Sequence, residues 1–130
     1  MRLSRLLSVL LYLIALHSLL VGVLLVVIPV SALDYFGYHD YQGSFFKIQG
    51  GVFHMIMGLI YFLAARDPER NRILVCLTIA AKFAATIFLF AYYIFIGSIW
   101  MVAASGAGDL VMGILVLWMF IRLRDSETGC

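Results

Sequence analysis

The chain has 130 residues, of which 65% are hydrophobic and 12% charged, and its formal net charge is +2. Its mean hydropathy is +1.07. Ordinary globular domains contain about 45–50% apolar and about 25% charged residues. Because a small soluble domain leaves much of its surface in water, this composition excludes a soluble enzyme, a nucleic-acid-binding protein and a disordered protein. It predicts an integral membrane protein whose surroundings are the lipid bilayer, with one domain over residues 1–130.

Four apolar stretches are long enough to cross a bilayer as helices, which takes about 20 residues each. They cover residues 6–28, 45–65, 73–95 and 99–121. The first stretch exceeds the apolar region of a signal peptide, which has about 7–15 residues, so we interpret it as a retained span. The connection Ile96-Gly97-Ser98 is short enough to make the third and fourth spans antiparallel neighbours. We expect an all-α, four-helix transmembrane bundle with up-down-up-down topology.

The basic residues predict the orientation of these spans. With four crossings, the two tails and the connection after the second span lie on one side. That side carries Arg2, Arg5, Arg66, Arg70, Arg72, Arg122 and Arg124, whereas the other side has only Lys47, at the mouth of the second span. Since arginine and lysine are enriched in cytoplasmic connections, we expect both termini in the cytoplasm and the protein in the cell membrane.

Four ionisable residues fall inside the predicted spans: His17, His54, Lys82 and Asp109. Each lies within two residues of the midpoint of its span, or about 3 Å along a helix. A charged side chain at mid-membrane costs about 2.5–3.5 kcal/mol on insertion scales, and such residues commonly mark functional sites. These four residues are therefore the candidate binding site.

Lys82 and Asp109 form the most specific pair. They lie 15 residues before and 12 residues after Gly97, so they differ by about 4.5 Å in depth across a tight hairpin. A lysine side chain covers that offset. We expect an ion pair, which relieves the cost of burying either charge alone.

Small and polar residues recur at helical spacing on three of the four spans. Such stripes allow membrane helices to approach closely and to form hydrogen bonds, so they indicate a polar interior. His17 differs, because its neighbours one turn away are apolar. The stripes consist of Lys47, Gly51, His54, Gly58 and Tyr61 on the second span, Thr78, Lys82, Ala85 and Thr86 on the third, and Ser105, Gly106, Asp109 and Gly113 on the fourth.

Each of these features has a structural and a functional interpretation. Lys82 and Asp109 are either a latch between two helices or part of a functional site. His54 and His17 are either hydrogen-bonded interior histidines or ligands and proton carriers. Asp34, His39 and Asp40 in the outer connection match no metal-ligand spacing, so we expect a solvated loop and no metal site.

Three segments carry a resemblance to a known family: Gly50-Gly51 with Gly58-Leu59, the run Ala64-Ala65-Arg66-Asp67-Pro68-Glu69-Arg70-Asn71-Arg72, and Gly108-Asp109-Leu110. Over residues 46–122 the chain resembles the small four-helix bacterial inner-membrane proteins grouped as DoxX-like. The founding members of that group are membrane subunits tied to quinone-linked oxidoreductases. The resemblance therefore implies a bacterial inner membrane and a quinone or electron-transfer setting, and it assigns no catalytic residue.

Three functions are compatible with these residues, and none of them specifies a reaction. The first is a non-enzymatic accessory or anchor subunit for a membrane or peripheral protein or for a second copy of the chain. The second is a redox protein in which His17 and His54 ligate one haem, or His54, Lys82 and Asp109 hold a quinone. The third is a transporter of a small solute or protons, although the chain has no inverted repeat or broken helix. We favour the first, which demands least of the residues.

Overall fold

A computed structural model describes residues 2–39 and 41–128, and the regular elements in this part of the chain are all helices. Four long helices follow one another, and each is long and apolar enough to cross a membrane. They are α1 (Arg2–Val27), α2 (Phe45–Arg66), α3 (Arg72–Phe95) and α4 (Trp100–Thr128). The prediction of an all-α protein with four candidate membrane spans is confirmed.

Two of these helices extend beyond the predicted spans. The α1 helix begins at Arg2 rather than at residue 6, and α4 continues to Thr128 rather than ending at residue 121. The apolar length of a span reflects the thickness of the bilayer core, whereas main-chain hydrogen bonding continues wherever good helix formers such as arginine and leucine follow. The remaining bounds agree with the prediction to within one residue.

The connection between α1 and α2 contains a short helix that the sequence did not predict. A 3₁₀ helix spans Val30–Phe36 after Pro29, and Leu33 within it is buried. Gly37 ends it at φ 89°, a left-handed conformation that glycine adopts without strain. A Cβ at Gly37 would lie 3.1 Å from the Trp100 ring, so this connection lies against the start of α4.

Helices α1 and α2 approach each other through glycines. A Cβ placed on Gly51 would lie 2.7 Å from the carbonyl oxygen of Gly22, and one on Gly58 would lie 2.8 Å from the Leu19 side chain. The two helix backbones are therefore in direct contact, as small residues permit in membranes. Glycines are also used between α3 and α4, where a Cβ on Gly106 would lie 3.3 Å from Leu89.

Each helix contacts two others, so that the four form a ring in which α1 lies beside α2 and α4, and α3 lies beside α2 and α4. The α1–α2 and α3–α4 contacts are the most extensive. The buried apolar cluster lies at the end of the ring that carries the Arg66–Arg72 connection. Its members are Leu7, Leu11, Ile14, Ala15, Tyr61, Ala64, Ala65, Val75, Val116, Met119, Phe120 and Leu123.

Candidate functional site

The expected ion pair between α3 and α4 is present. Lys82 Nζ lies 2.6 Å from Asp109 Oδ1, and the two side chains are 6% and 15% exposed. The pair predicted from the distances of Lys82 and Asp109 to Gly97 is therefore confirmed. Because a buried charge without a partner is costly, each member of this pair makes the other tolerable in the interior.

Tyr61 and Gly113 complete the surroundings of the lysine. The ammonium group lies over the Tyr61 ring, 5.3 Å from its centroid, which is the geometry of a cation–π contact. A Cβ on Gly113 would lie 3.2 Å from the Lys82 Cβ, so this glycine makes room for the lysine stem. Lys82 is therefore held by contacts from α2 and from α4 at once.

The threonines that share the Lys82 face of α3 play a local role. Thr86 Oγ1 donates to the carbonyl of Lys82 at 2.8 Å, and Thr78 Oγ1 donates to the carbonyl of Leu74 at 2.8 Å. Both bonds reach back one turn within the same helix, as threonine hydroxyls do in helix interiors. The interior is therefore less polar than the stripe of α3 indicated.

His54 lies on the inward stripe of α2, between the buried residues Gly51 and Gly58, yet it remains exposed. Ser18 Oγ on α1 donates to the His54 carbonyl at 2.9 Å and lies 3.4 Å from the His54 Nδ1 atom. His54 lies seven residues, or about two helical turns, before Tyr61, whose ring contacts Lys82. Unlike the ion pair, the imidazole remains accessible from outside the chain.

His17 does not join the interior side chains. It is exposed, whereas the next residue, Ser18, is buried and faces α2. A haem held between α1 and α2 by His17 and His54 needs a gap between the helices. The direct backbone contact at Gly22 and Gly51 leaves no such gap, so the residues do not fit a haem placed between these helices.

Lys47 has a structural role that sequence analysis missed. Its side chain is 7% exposed, and its Nζ donates to the carbonyl oxygens of Leu25, Val26 and Ile28, the last at 2.8 Å. These carbonyls end α1, where main-chain acceptors lack helical partners and the helix dipole favours a positive charge. Lys47 therefore caps α1 from α2 and contributes nothing to the mid-membrane cluster.

The connection between α1 and α2 forms no metal cluster in the part that the structure describes. His39 Nδ1 lies 4.0 Å from Asp34 Oδ1, and both side chains are largely exposed. Within residues 2–39 and 41–128, no three histidine, cysteine or acidic side chains converge. Asp40, the third residue considered for this loop, lies outside the described residues. Burial raises the pKa of Tyr38 in the same connection, with a smaller contribution from Tyr92.

Comparison of this chain with family models, with curated proteins and with solved structures finds no match. The geometry of the mid-membrane residues therefore carries the functional argument.

Proposed function

We propose that the protein is a small, non-enzymatic, multi-pass membrane subunit that anchors or assists a membrane or peripheral partner, or a second copy of itself. One observation carries this proposal: Lys82 and Asp109, the two charged residues at mid-membrane, pair with each other inside the chain. A pair closed in this way links α3 to α4 and needs no substrate to satisfy either charge.

The proposed topology is up-down-up-down with both termini in the cytoplasm of a bacterium. The contacts support antiparallel packing of α3 and α4. Gly106 lies beside Leu89, and Gly113, further along α4, lies beside Lys82, which is earlier in α3. The cytoplasmic side is supported by the arginines of the tails and of the Arg66–Arg72 connection. The assignment of the protein to a bacterial inner membrane depends on the resemblance to DoxX-like proteins, which is part of the proposal.

Paired replacement tests the latch. Removing one member of a buried ion pair leaves the other charge unpaired and costs about 3–5 kcal/mol, whereas replacing both with apolar residues is often neutral. We expect Lys82→Met and Asp109→Leu each to reduce thermal stability in detergent and abundance in the membrane. The double variant should recover most of both quantities.

A Ser105→Leu variant provides the control for this series. Ser105 lies one turn before Asp109 but is exposed, so it does not belong to the inward stripe of α4 that its spacing predicted. It should behave like the unmodified protein. A double variant that is as unstable as the two single changes combined would contradict a latch.

The exposure of His54 favours a second candidate, a site for a lipid-soluble carbonyl compound such as a quinone. His54 can donate a hydrogen bond to a carbonyl oxygen that approaches from the bilayer, because its side chain is exposed. A bound quinone would supply two-electron redox chemistry. The resemblance to DoxX-like proteins points to the same ligand class.

Quinone binding tests this candidate directly. If His54 donates the hydrogen bond, His54→Ala should weaken the Kd of a water-soluble quinone about tenfold, the effect of losing about 1.4 kcal/mol. His17→Ala should leave the Kd unchanged, because His17 is exposed on an apolar face of α1 and does not belong to the polar stripe of α2 that carries His54. If His54→Ala and His17→Ala both bind the quinone with the Kd of the unmodified protein, the site is not at His54.

A further inference from the structure

A groove opens between the end of α2 and the start of α3, at the arginine-bearing end of the molecule. It has a volume of about 540 Å³, and its walls combine apolar with charged side chains. The lining residues are Leu63, Arg66, Asp67, Arg70, Asn71 and Leu74. Two of them are arginines and one is acidic, so the groove has a net positive charge.

The other polar groups of this groove are engaged within the chain. Asp67 Oδ1 accepts the main-chain N–H of Arg70 at 3.1 Å, and Asn71 Nδ2 donates to the carbonyl of Leu63 at 3.0 Å. Both bonds stabilise the tight connection between the helices. One oxygen of Asp67, the acidic residue that lines this groove, is therefore used by the main chain.

The guanidinium groups of Arg66 and Arg70 remain exposed beside that connection. Within residues 2–39 and 41–128, neither makes a hydrogen bond or an ion pair with another side chain. A planar guanidinium presents several donors in a fork that matches phosphate oxygens. Two such groups at one groove form a receptor for a phosphate.

The depth of the groove selects the kind of phosphate. Arg66 ends a candidate membrane span, and Leu63 and Leu74 lie three and two residues inside the spans, which is less than one helical turn. The groove thus joins the charged ends of the two spans to their first apolar residues. We propose that it binds an anionic phospholipid, with the phosphate at Arg66 and Arg70 and an acyl chain along Leu63 and Leu74.

A neighbouring groove shows why the charge balance matters. It has a volume of about 270 Å³ and shares Arg66 with the larger groove. The positive charges of its two arginines, Arg5 and Arg66, are balanced by the negative charges of Asp67 and Glu69. The smaller groove is therefore neutral in sum. It supplies a matched control, since Arg5 is a basic residue at the same end of the molecule and outside the proposed site.

Lipid binding to the purified full chain tests the proposal. The probes are phosphatidylglycerol and phosphatidylcholine with identical acyl chains, added to the protein in a neutral detergent, with native mass spectrometry as the readout. We expect preferential binding of phosphatidylglycerol. Since each basic side chain at an anionic surface contributes about fivefold in affinity, Arg66→Gln with Arg70→Gln should reduce that preference about 25-fold. Arg5→Gln should retain it.

Further measurements make every outcome decisive. If the double variant loses its helical circular dichroism, the exposed single change Arg70→Gln replaces it, with an expected loss of about fivefold. Equal loss in Arg5→Gln would overturn the proposal in favour of diffuse surface charge. Full competition by millimolar glycerol phosphate would overturn the lipid assignment in favour of a free phosphate. Equal binding of both phospholipids would overturn the site itself.

Discussion

At the scale of single residues, both buried lysines are satisfied by groups of the chain itself. Lys82 contacts a carboxylate and an aromatic ring, and Lys47 contacts the main-chain carbonyls that end α1. In a bilayer, water is absent from the core, so an ammonium group needs such partners wherever it is buried. The two lysines therefore stabilise helix contacts at different depths, and neither is free to bind a substrate.

The cap formed by Lys47 predicts a specific loss of stability. Lys47→Met keeps the apolar stem and removes the charged donor, which leaves the carbonyl of Ile28 without this bond. Because hydrogen bonds to a charged group contribute about 1.5–3 kcal/mol, we expect a destabilisation of about 2 kcal/mol. Unfolding in mixed detergent, followed by circular dichroism, measures it.

Gln49→Met is the control for this variant, since Gln49 is exposed on the same turn of α2. Its unfolding midpoint should stay at that of the unmodified protein. If Lys47→Met and Gln49→Met have the same midpoint, Lys47 does not cap α1.

At the scale of helices, α1 and α2 are joined by direct backbone contact at glycines. A Cβ on Gly51 would meet the carbonyl oxygen of Gly22 at 2.7 Å, and main-chain atoms cannot rotate away as a side chain can. A side chain there must separate the helices. Adjacent Gly50 has no atom within 4 Å of a built Cβ, so the two glycines provide a comparison within one turn.

This contact predicts opposite results for neighbouring substitutions. Gly51→Ala should destabilise the protein by about 1–3 kcal/mol, the usual cost of overpacking. Gly50→Ala should be neutral or stabilising by up to about 1 kcal/mol, because alanine favours a helix over glycine. Thermal unfolding in detergent compares them. A neutral Gly51→Ala variant would mean that the α1–α2 contact is looser than the structure indicates.

The sequence predicted the helices and the ion pair because both follow from local arithmetic. Apolar length defines a membrane span, and a short connection at Gly97 fixes the depths at which Lys82 and Asp109 meet. The 3₁₀ helix after Pro29 was missed, since it depends on Leu33 being buried beneath the connection. The ends of α1 and α4 were also missed, because hydropathy does not mark where a helix ends in water.

The roles of Lys47 and His54 could not be predicted in this way. Spacing placed both residues on one stripe of α2. It did not predict which carbonyl oxygens Lys47 contacts, or that His54 is exposed. Those outcomes depend on how the α1–α2 pair sits against the α3–α4 pair. Distances within one helix or one hairpin are fixed by the chain, whereas distances between hairpins are set by packing.

At the scale of the whole molecule, two tightly joined helix pairs share their apolar core at the arginine-bearing end. The core residues of α1 and α3 lie between the start and the middle of those helices, and those of α2 and α4 lie in the second halves. The mid-membrane ion pair lies just beyond this core, next to Tyr61. The same end carries the groove proposed to bind a phospholipid, so the apolar core and the proposed lipid contact lie in one half of the protein.

The central claim is that the mid-membrane charges satisfy each other and hold no ligand. A native mass spectrum of the protein extracted in mild detergent tests it most directly, because bound small molecules appear as resolved mass differences. We expect the mass of one bare chain or of a whole number of chains, with phospholipid as the one retained molecule. A stoichiometric quinone, haem or other small molecule that is lost in His54→Ala or Asp109→Asn would contradict it.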